Sequence, residues 1–177
     1  MKPTDKTKVK RAPKRGFYDK ETVYQILDND FICQIAFTYK DYPVIIPTIY
    51  GRKMDCIYIH GASVSRMLVT LEKGLPIAVN VTKTKGIVLA RSAFHHSLNY
   101  ESVTIFGKAE LVTDEDERME ALKIISDQII PERWEEVRLP NDKELKATKI
   151  IKIPIIGLFV FRKFLTLSLQ QFLTIFG

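Results

Sequence analysis

All three histidines of this chain, His60, His95 and His96, fall in two short blocks that also hold serine, arginine, glycine or asparagine. The first block, residues 57–68, reads IYIHGASVSRML; the second, residues 88–107, reads VLARSAFHHSLNYESVTIFG. In the first, a strand ends near His60 and Gly61 lets another molecule approach the backbone. Ser63 and Ser65 then open a helix. Free N–H groups at a helix start, two hydroxyls and Arg66 suit a bound phosphate. The same residues also read as an ordinary N-cap followed by a solvated arginine.

In the second block, Arg91 and Ser92 end a strand. Asn99 and Tyr100 can hydrogen-bond the edge of a flat heterocycle, and Phe94 or Tyr100 can cover its face. A metal reading of His95 and His96 fails on spacing, because adjacent residues of an extended chain point to opposite sides. No HExxH motif and no carboxylate at ligand spacing accompanies them. A Ser-His-Asp hydrolase is not supported either, since no GxSxG elbow occurs. Neither GxGxxG nor GxxxxGK[ST] occurs, so any phosphate recognition is not of the Rossmann or P-loop kind. The acidic residues gather at 114–120 and 132–144, where a solvated face is the ordinary outcome.

The elements that must carry these blocks can be read from periodicity and turn residues. Asp19 caps a helix over about 20–27, with Val23, Ile26 and Leu27 on one face. Residues 31–39 alternate, with Phe31, Cys33, Ile35, Phe37 and Tyr39 facing one way. Residues 44–50 and 56–60 form a hairpin across 51–55. Helical spacing over 63–73 ends at Gly74, a C-cap. A strand at 75–82 turns at 83–86 into 87–91. A further strand covers 102–112, with Gly107 as a bulge or bend. Thr113 caps a helix from 114 to about 129, acidic in its first turn as the helix dipole favours. Residues 131–140, with Trp134, are a loop. A short helix at 141–147 leads to a strand at 148–154. Six or seven strands joined by tight turns, with no βα alternation, make a mainly β fold of antiparallel strands in a small closed or split barrel.

Composition sets the limits. The chain has 177 residues and 46% apolar content, enough for one sizeable domain. Residues 1–16 hold seven lysines and arginines against one aspartate, so they carry the whole net charge of +6. Such a tail is expected to be disordered. It can touch nucleic acid or anionic lipid by counterion release, but no specific nucleic-acid partner is expected. No apolar run follows it, so it is not a secretory signal. Cys33 and Cys56 lack metal-type spacing and read as buried thiols in a reducing, cytoplasmic compartment. Residues 153–177 hold five of the ten phenylalanines. Arg162-Lys163 and Gln170-Gln171 interrupt them, so no transmembrane span is expected. An interfacial or subunit-packing segment stays open. The chain thus divides into a basic tail at 1–16, a domain at 17–154 and an atypical apolar segment at 155–177.

Taken together, KRGFYDKETVYQILD, VIIPTIYGR, YIHGASVSRML, VLARSAFHHSLNYESVTIFGKAELV, PERW and ELKAT resemble the pyridoxamine 5′-phosphate oxidase-related, FMN-binding split-barrel proteins. Within them, the resemblance is to the flavin-nucleotide-binding branch near the nitroimidazole-resistance proteins, and it covers about residues 11–152. It implies a six-stranded split β-barrel and a homodimer with two FMN molecules in clefts between the subunits. By position, Pro47, Thr48, Ile49 and Tyr50 would run beside the isoalloxazine. His60, Gly61, Ser65 and Arg66 would meet the flavin edge and the ribityl phosphate. Arg91, Ser97, Asn99 and Tyr100 would contribute from the other block. His60 is then the catalytic candidate, ahead of His95 and His96. The implied activity is oxidation or reduction of a small molecule, with a reduced nicotinamide as electron donor. The alternative is a non-catalytic flavin- or haem-binding module. Oxidation of pyridoxamine phosphate itself is not expected, because the basic residues that bind that substrate's phosphate have no counterparts here. After about Lys152 the chain departs from the family, whose members continue with a polar segment and a tryptophan-bearing end that closes the flavin site.

Overall fold

The computed structural model describes residues 2–164. Nine strands and four α-helices follow one another as β1 (Gly16–Phe17), α1 (Lys20–Asp28), β2 (Ile32–Tyr39), β3 (Tyr42–Lys53), β4 (Cys56–Ala62), α2 (Arg66–Leu71), β5 (Pro76–Val88), β6 (Ser97–Lys108), β7 (Glu110–Leu111), α3 (Glu115–Ile129), α4 (Asp142–Ala147), β8 (Thr148–Pro154) and β9 (Gly157–Lys163). All strand pairs are antiparallel, and the sheet order is β1-β9-β6-β5-β2-β3-β4-β8-β7. The sheet curls on itself. Leu158 and Val160 from β9 share one core with Ile57 and Ile59 from β4 and with Ile151 and Ile153 from β8. This is the split barrel expected of a mainly antiparallel chain.

Alternation decides which side chains enter that core. Cys33, Ile35 and Phe37 of β2 point in, as do Val79 and Val81 of β5 and Val103 and Ile105 of β6. α1 closes one end with Val23, Ile26 and Leu27, and the Asp19 carboxylate accepts from the Thr22 amide at 2.7 Å. α2 adds Met67, Leu68 and Leu71, and stops where Gly74 takes φ +67° and donates to the Leu71 carbonyl. α3 crosses the outside of the β3–β4 hairpin, packing Ala121 and Ile125 against Tyr58 and Ile150.

Several boundaries differ from the sequence expectation. β5 is one long strand rather than two joined by a turn. Residues 83–86 stay paired with β6, and the ladder absorbs the extra residue as a bulge between Thr84 and Gly86. β6 correspondingly begins at Ser97, so Asn99 and Tyr100 lie in a strand. Gly107 holds regular register with Ile77. Its role is close approach: a Cβ there would lie 3.3 Å from the Pro154 carbonyl oxygen, where β6 meets the end of β8. α2 begins at Arg66, not at 63, and α3 is capped by Asp114, not Thr113.

The two ends of the chain also differ from expectation. Residues 2–16 are not featureless. Thr7 is buried, the Val9 amide donates to the Tyr18 hydroxyl, and Gly16–Phe17 pairs with β9. β9 lies between β1 and β6, so the barrel runs past residue 154. The rest of the apolar C-terminal segment, residues 165–177, lies outside the described residues. Among the described residues no helix is long and apolar enough to cross a membrane.

Candidate functional site

The register of β2, β3 and β5 sorts the first group of candidates. Gln34 pairs with Pro47 and Cys33 with Thr48, so side chains of β3 alternate between the outward and core faces. Pro47 and Ile49 point outward, and Ile49 keeps 38% of its surface exposed. Thr48 and Tyr50 face the core. Tyr50 is fully buried and donates its hydroxyl hydrogen to the Leu27 carbonyl at 2.7 Å, and burial pushes its pKa up. Tyr50 therefore has only main-chain atoms to offer a ligand.

His60 lies next to this outward pair. Tyr50 pairs with Ile59, which puts Ile49 level with His60 on the neighbouring strand, both facing out. α3 covers the Gly51–Tyr58 end of the hairpin, where a Cβ on Gly51 would come within 2.7 Å of the Ile124 main chain. The Ile49–His60 end stays half-buried. His60 Nδ1 is buried and has no hydrogen-bond partner among the described residues. An unpaired buried polar atom costs about 1–3 kcal/mol, so this nitrogen is a place for a ligand atom. Desolvation lowers the pKa of the ring, so His60 is neutral near pH 7.

From His60 the chain runs through Gly61 to the start of α2. Ser65 occupies the N-cap position, but its hydroxyl makes no capping bond. Arg66 is exposed, with its guanidinium 5.1 Å above the Tyr39 ring. A hydroxyl not spent on the helix and a cation held over an aromatic face stand beside each other at one end of β3. That donor set suits a phosphate.

The second group stands elsewhere. Arg91 is exposed in the loop between β5 and β6. Ser97 accepts from the Lys163 ammonium at the end of β9. Asn99 pairs with Gly86 and Tyr100 with Thr84, and the Tyr100 ring stacks on Phe161 at 5.8 Å. His95 and His96 are exposed; His96 Nε2 lies 2.8 Å from the Ala90 carbonyl and Phe94 packs edge-on against His95. Lys163, Phe161 and Tyr39 are site neighbours that sequence reasoning missed. Tyr39 was legible only as a core-facing residue, and the strand carrying Phe161 and Lys163 was hidden in a continuous apolar run.

One protomer does not bring the two groups together. The row through His60 and Ile49 continues through Ile32, Thr82 and Ser102, as the pairs Gln34–Asn80 and Thr82–Ser102 require. Tyr100 lies two residues before Ser102 on the same strand. Four strand spacings separate His60 from that strand, about 19 Å along the sheet at roughly 4.8 Å each.

With this geometry in hand, comparison places the chain. The family model described as pyridoxamine 5′-phosphate oxidase matches residues 19–158. The chain belongs to that family. Among solved structures, the flavocytochrome Anf3 from Azotobacter vinelandii is 32% identical, with a TM-score of 0.86 over 97% of this chain and 80% of that one. An FAD and haem binding protein from Mycobacterium smegmatis is 31% identical, with a TM-score of 0.82 over 92% of this chain and 80% of its own. A candidate 5-nitroimidazole antibiotic resistance protein from Bacteroides thetaiotaomicron, at 22% identity and a TM-score of 0.67 over 82% of this chain and 86% of its own, shares the fold. No curated protein matches. The family model's match ends at residue 158, within β9.

Proposed function

We propose that the protein is a homodimeric flavoprotein that binds the riboflavin-phosphate portion complete in FMN and oxidises or reduces a small molecule. The observation that carries the reading is the four-strand separation of the two residue groups across one outward face. A second copy is the simplest way to bring Asn99 and Tyr100 to His60 and Arg66. The face is suited to it. Ile45, Ala36, Ala78 and Phe106 form a continuous apolar row across β3, β2, β5 and β6, around a hollow of about 330 Å3. Ile45 is 68% exposed there, which a lone soluble sheet rarely leaves uncovered. Two relatives above 30% identity are described as a flavocytochrome and as an FAD and haem binding protein.

When bound, flavin supplies the hydride chemistry, with a reduced nicotinamide as electron donor. Ser65 and Arg66 bind the phosphate. Pro47 and Ile49 lie along the ring, with main-chain atoms of Thr48 and Tyr50 at its edge. Neutral His60 orients the ring or moves a proton at Nδ1. From the partner copy, Arg91, Ser97, Asn99 and Tyr100 close the cleft and exclude water. A reducing, cytoplasmic compartment suits the two free cysteines.

The absorption spectrum of the protein as isolated tests this. A flavin band supports it; colourless protein that ignores added FMN and FAD overturns it. Given a flavin, His60→Ala lowers nicotinamide turnover more than flavin affinity; equal losses make His60 a cofactor holder only. A second reading, a haem-binding module, is favoured by the same two relatives and by the exposed His95–His96 pair, since histidine is a common axial ligand. A Soret band lost in His95→Ala or His96→Ala protein would select it.

A further inference from the structure

Two cavities lie beside each other where α3 and α4 meet the β7–β8 edge. The larger, about 460 Å3, is lined by Glu115, Asp116 and Asp142 together with Arg118 and Lys146. The smaller, about 280 Å3, has Arg118, Lys146 and Lys149 in its wall with Ser63, Thr113 and Thr148, and no carboxylate. Its volume is close to the lower bound of small-molecule sites, about 300 Å3. Val112 and Ile150 add an apolar side.

The charges in this wall are not evenly spent. Lys149 pairs with Glu72 at the far side of α2. Arg118 donates to the carbonyls of Leu145 and Thr148, which fixes its guanidinium without neutralising it. Among the described residues neither Arg118 nor Lys146 forms an ion pair. Two cations without a salt-bridge partner and the hydroxyls of Ser63 and Thr113 around one apolar side form a donor set for a phosphorylated organic group, while the Thr148 hydroxyl donates to the Glu144 carbonyl at 2.8 Å.

The position is also informative. Ile150 pairs with His60 and Thr148 with Ala62, so the cavity opens one strand away from His60, about 5 Å along the sheet. Ser63, in its wall, stands two residues before Ser65. Its amide donates to the Ala147 carbonyl at 2.7 Å, tying the exit of β4 to the end of α4.

We infer that this cavity is a subsite for a phosphate-bearing organic group next to the flavin position. The flavin half of the inference rests on the function proposed above. The group is either the adenylate half of FAD or part of a separate nucleotide. Two measurements on the full chain distinguish these: calorimetric titration with AMP, and fluorescence titration with FMN and FAD. Each is made on the unaltered protein, on Lys146→Glu and on Thr113→Val. Lys146 is exposed in the last turn of α4, so its replacement leaves the core intact. Lys146→Glu is expected to weaken AMP binding about tenfold or more, the size of one charge-assisted bond. FAD binding more tightly than FMN, by a margin that Lys146→Glu removes, identifies the dinucleotide flavin. Equal FAD and FMN affinity, with AMP still binding the flavin-loaded protein, identifies a separate nucleotide. No AMP binding together with no difference between FAD and FMN overturns the inference. Failure to bind any flavin overturns the proposed function instead, and leaves the AMP titration to decide the subsite.

Discussion

Glu101 and Arg162 hold β6 to β9 from inside the barrel. Arg162 Nε lies 2.8 Å from one Glu101 carboxylate oxygen, and the Lys85 ammonium lies 2.7 Å from the other. Glu101 is 8% exposed, so its charge depends on these cations rather than on water. The pair also fixes β9 between β1 and β6, where Leu158 and Val160 complete the core.

Removing one partner should therefore cost more than removing both. Arg162→Leu is expected to destabilise the fold by about 2–3 kcal/mol, because Lys85 still answers part of the carboxylate charge. Glu101→Leu combined with Arg162→Leu should recover part of that loss. Urea unfolding of Arg162→Leu, Glu101→Leu and the double variant decides. A double variant as unstable as the sum of the singles would mean that the pair is not coupled.

Gly51 and Gly86 make a matched contrast. A Cβ on Gly51 would meet the Ile124 carbonyl at 2.7 Å and the Ile125 Cα at 2.8 Å, all main chain of α3, whereas nothing lies within 4 Å at Gly86. Gly51→Ala must push α3 off the hairpin and should cost about 1–3 kcal/mol. Gly86→Ala should change stability by less than about 1 kcal/mol in either direction. Thermal melts that rank the two the other way would refute the close packing of α3 on β3.

The burial of His60 makes stability depend on pH with a definite sign. Its pKa is lowered from 6.5 by desolvation, so the unfolded chain binds the proton first as pH falls. This contribution is constant above about pH 6.5. It is lost as pH drops below that value, and levels off once the folded ring titrates too. His60→Gln should remove that share of the acid-side slope. Denaturation midpoints of both proteins at pH 7.5 and 5.5 measure it; parallel losses would mean that His60 titrates normally in the fold.

The outward row through Ile45 should be where two copies meet. Ile45→Asp leaves the core untouched, since Ile45 lies on the side of β3 away from Ile46 and Val44. Sedimentation should show a dimer for the unaltered protein and a monomer for the variant, with flavin binding lost together with the dimer. A monomeric variant that binds flavin as tightly as before would show that one chain completes the site.

Arg66→Ala should weaken binding of FMN by roughly 1.5–3 kcal/mol if the guanidinium bonds the phosphate. Fluorescence titration reads this directly, and an unchanged affinity would assign Arg66 to its stacking on Tyr39 alone.

Local signals carried much of this in the sequence. Alternation through Cys33, Ile35 and Phe37 located the core face of β2, although Phe31, read on the same face, is exposed; Asp19 and Gly74 marked two helix ends, and the family was legible from ARSAFHHSLNY and its companion segments. Those features depend on residues a few positions apart, which is the range over which φ/ψ preference, capping and period act. The Lys-Thr-Lys-Gly stretch misled for the same reason. Locally it favours a turn, but its pairing with β6 outweighs that preference and stores the extra residue as a bulge. β9 was not legible at all, since an unbroken apolar run has no period, and its place between β1 and β6 comes only from partners far away in the chain. The sequence by itself determined the fold class, the helix ends and the chemical types gathered at His60, Arg66 and Asn99. Only the tertiary structure decided that Tyr50 faces inward, that His60 Nδ1 is buried without a partner, and that the two groups stand four strands apart, because burial and distance across a sheet are set by long-range register and not by neighbours in the chain.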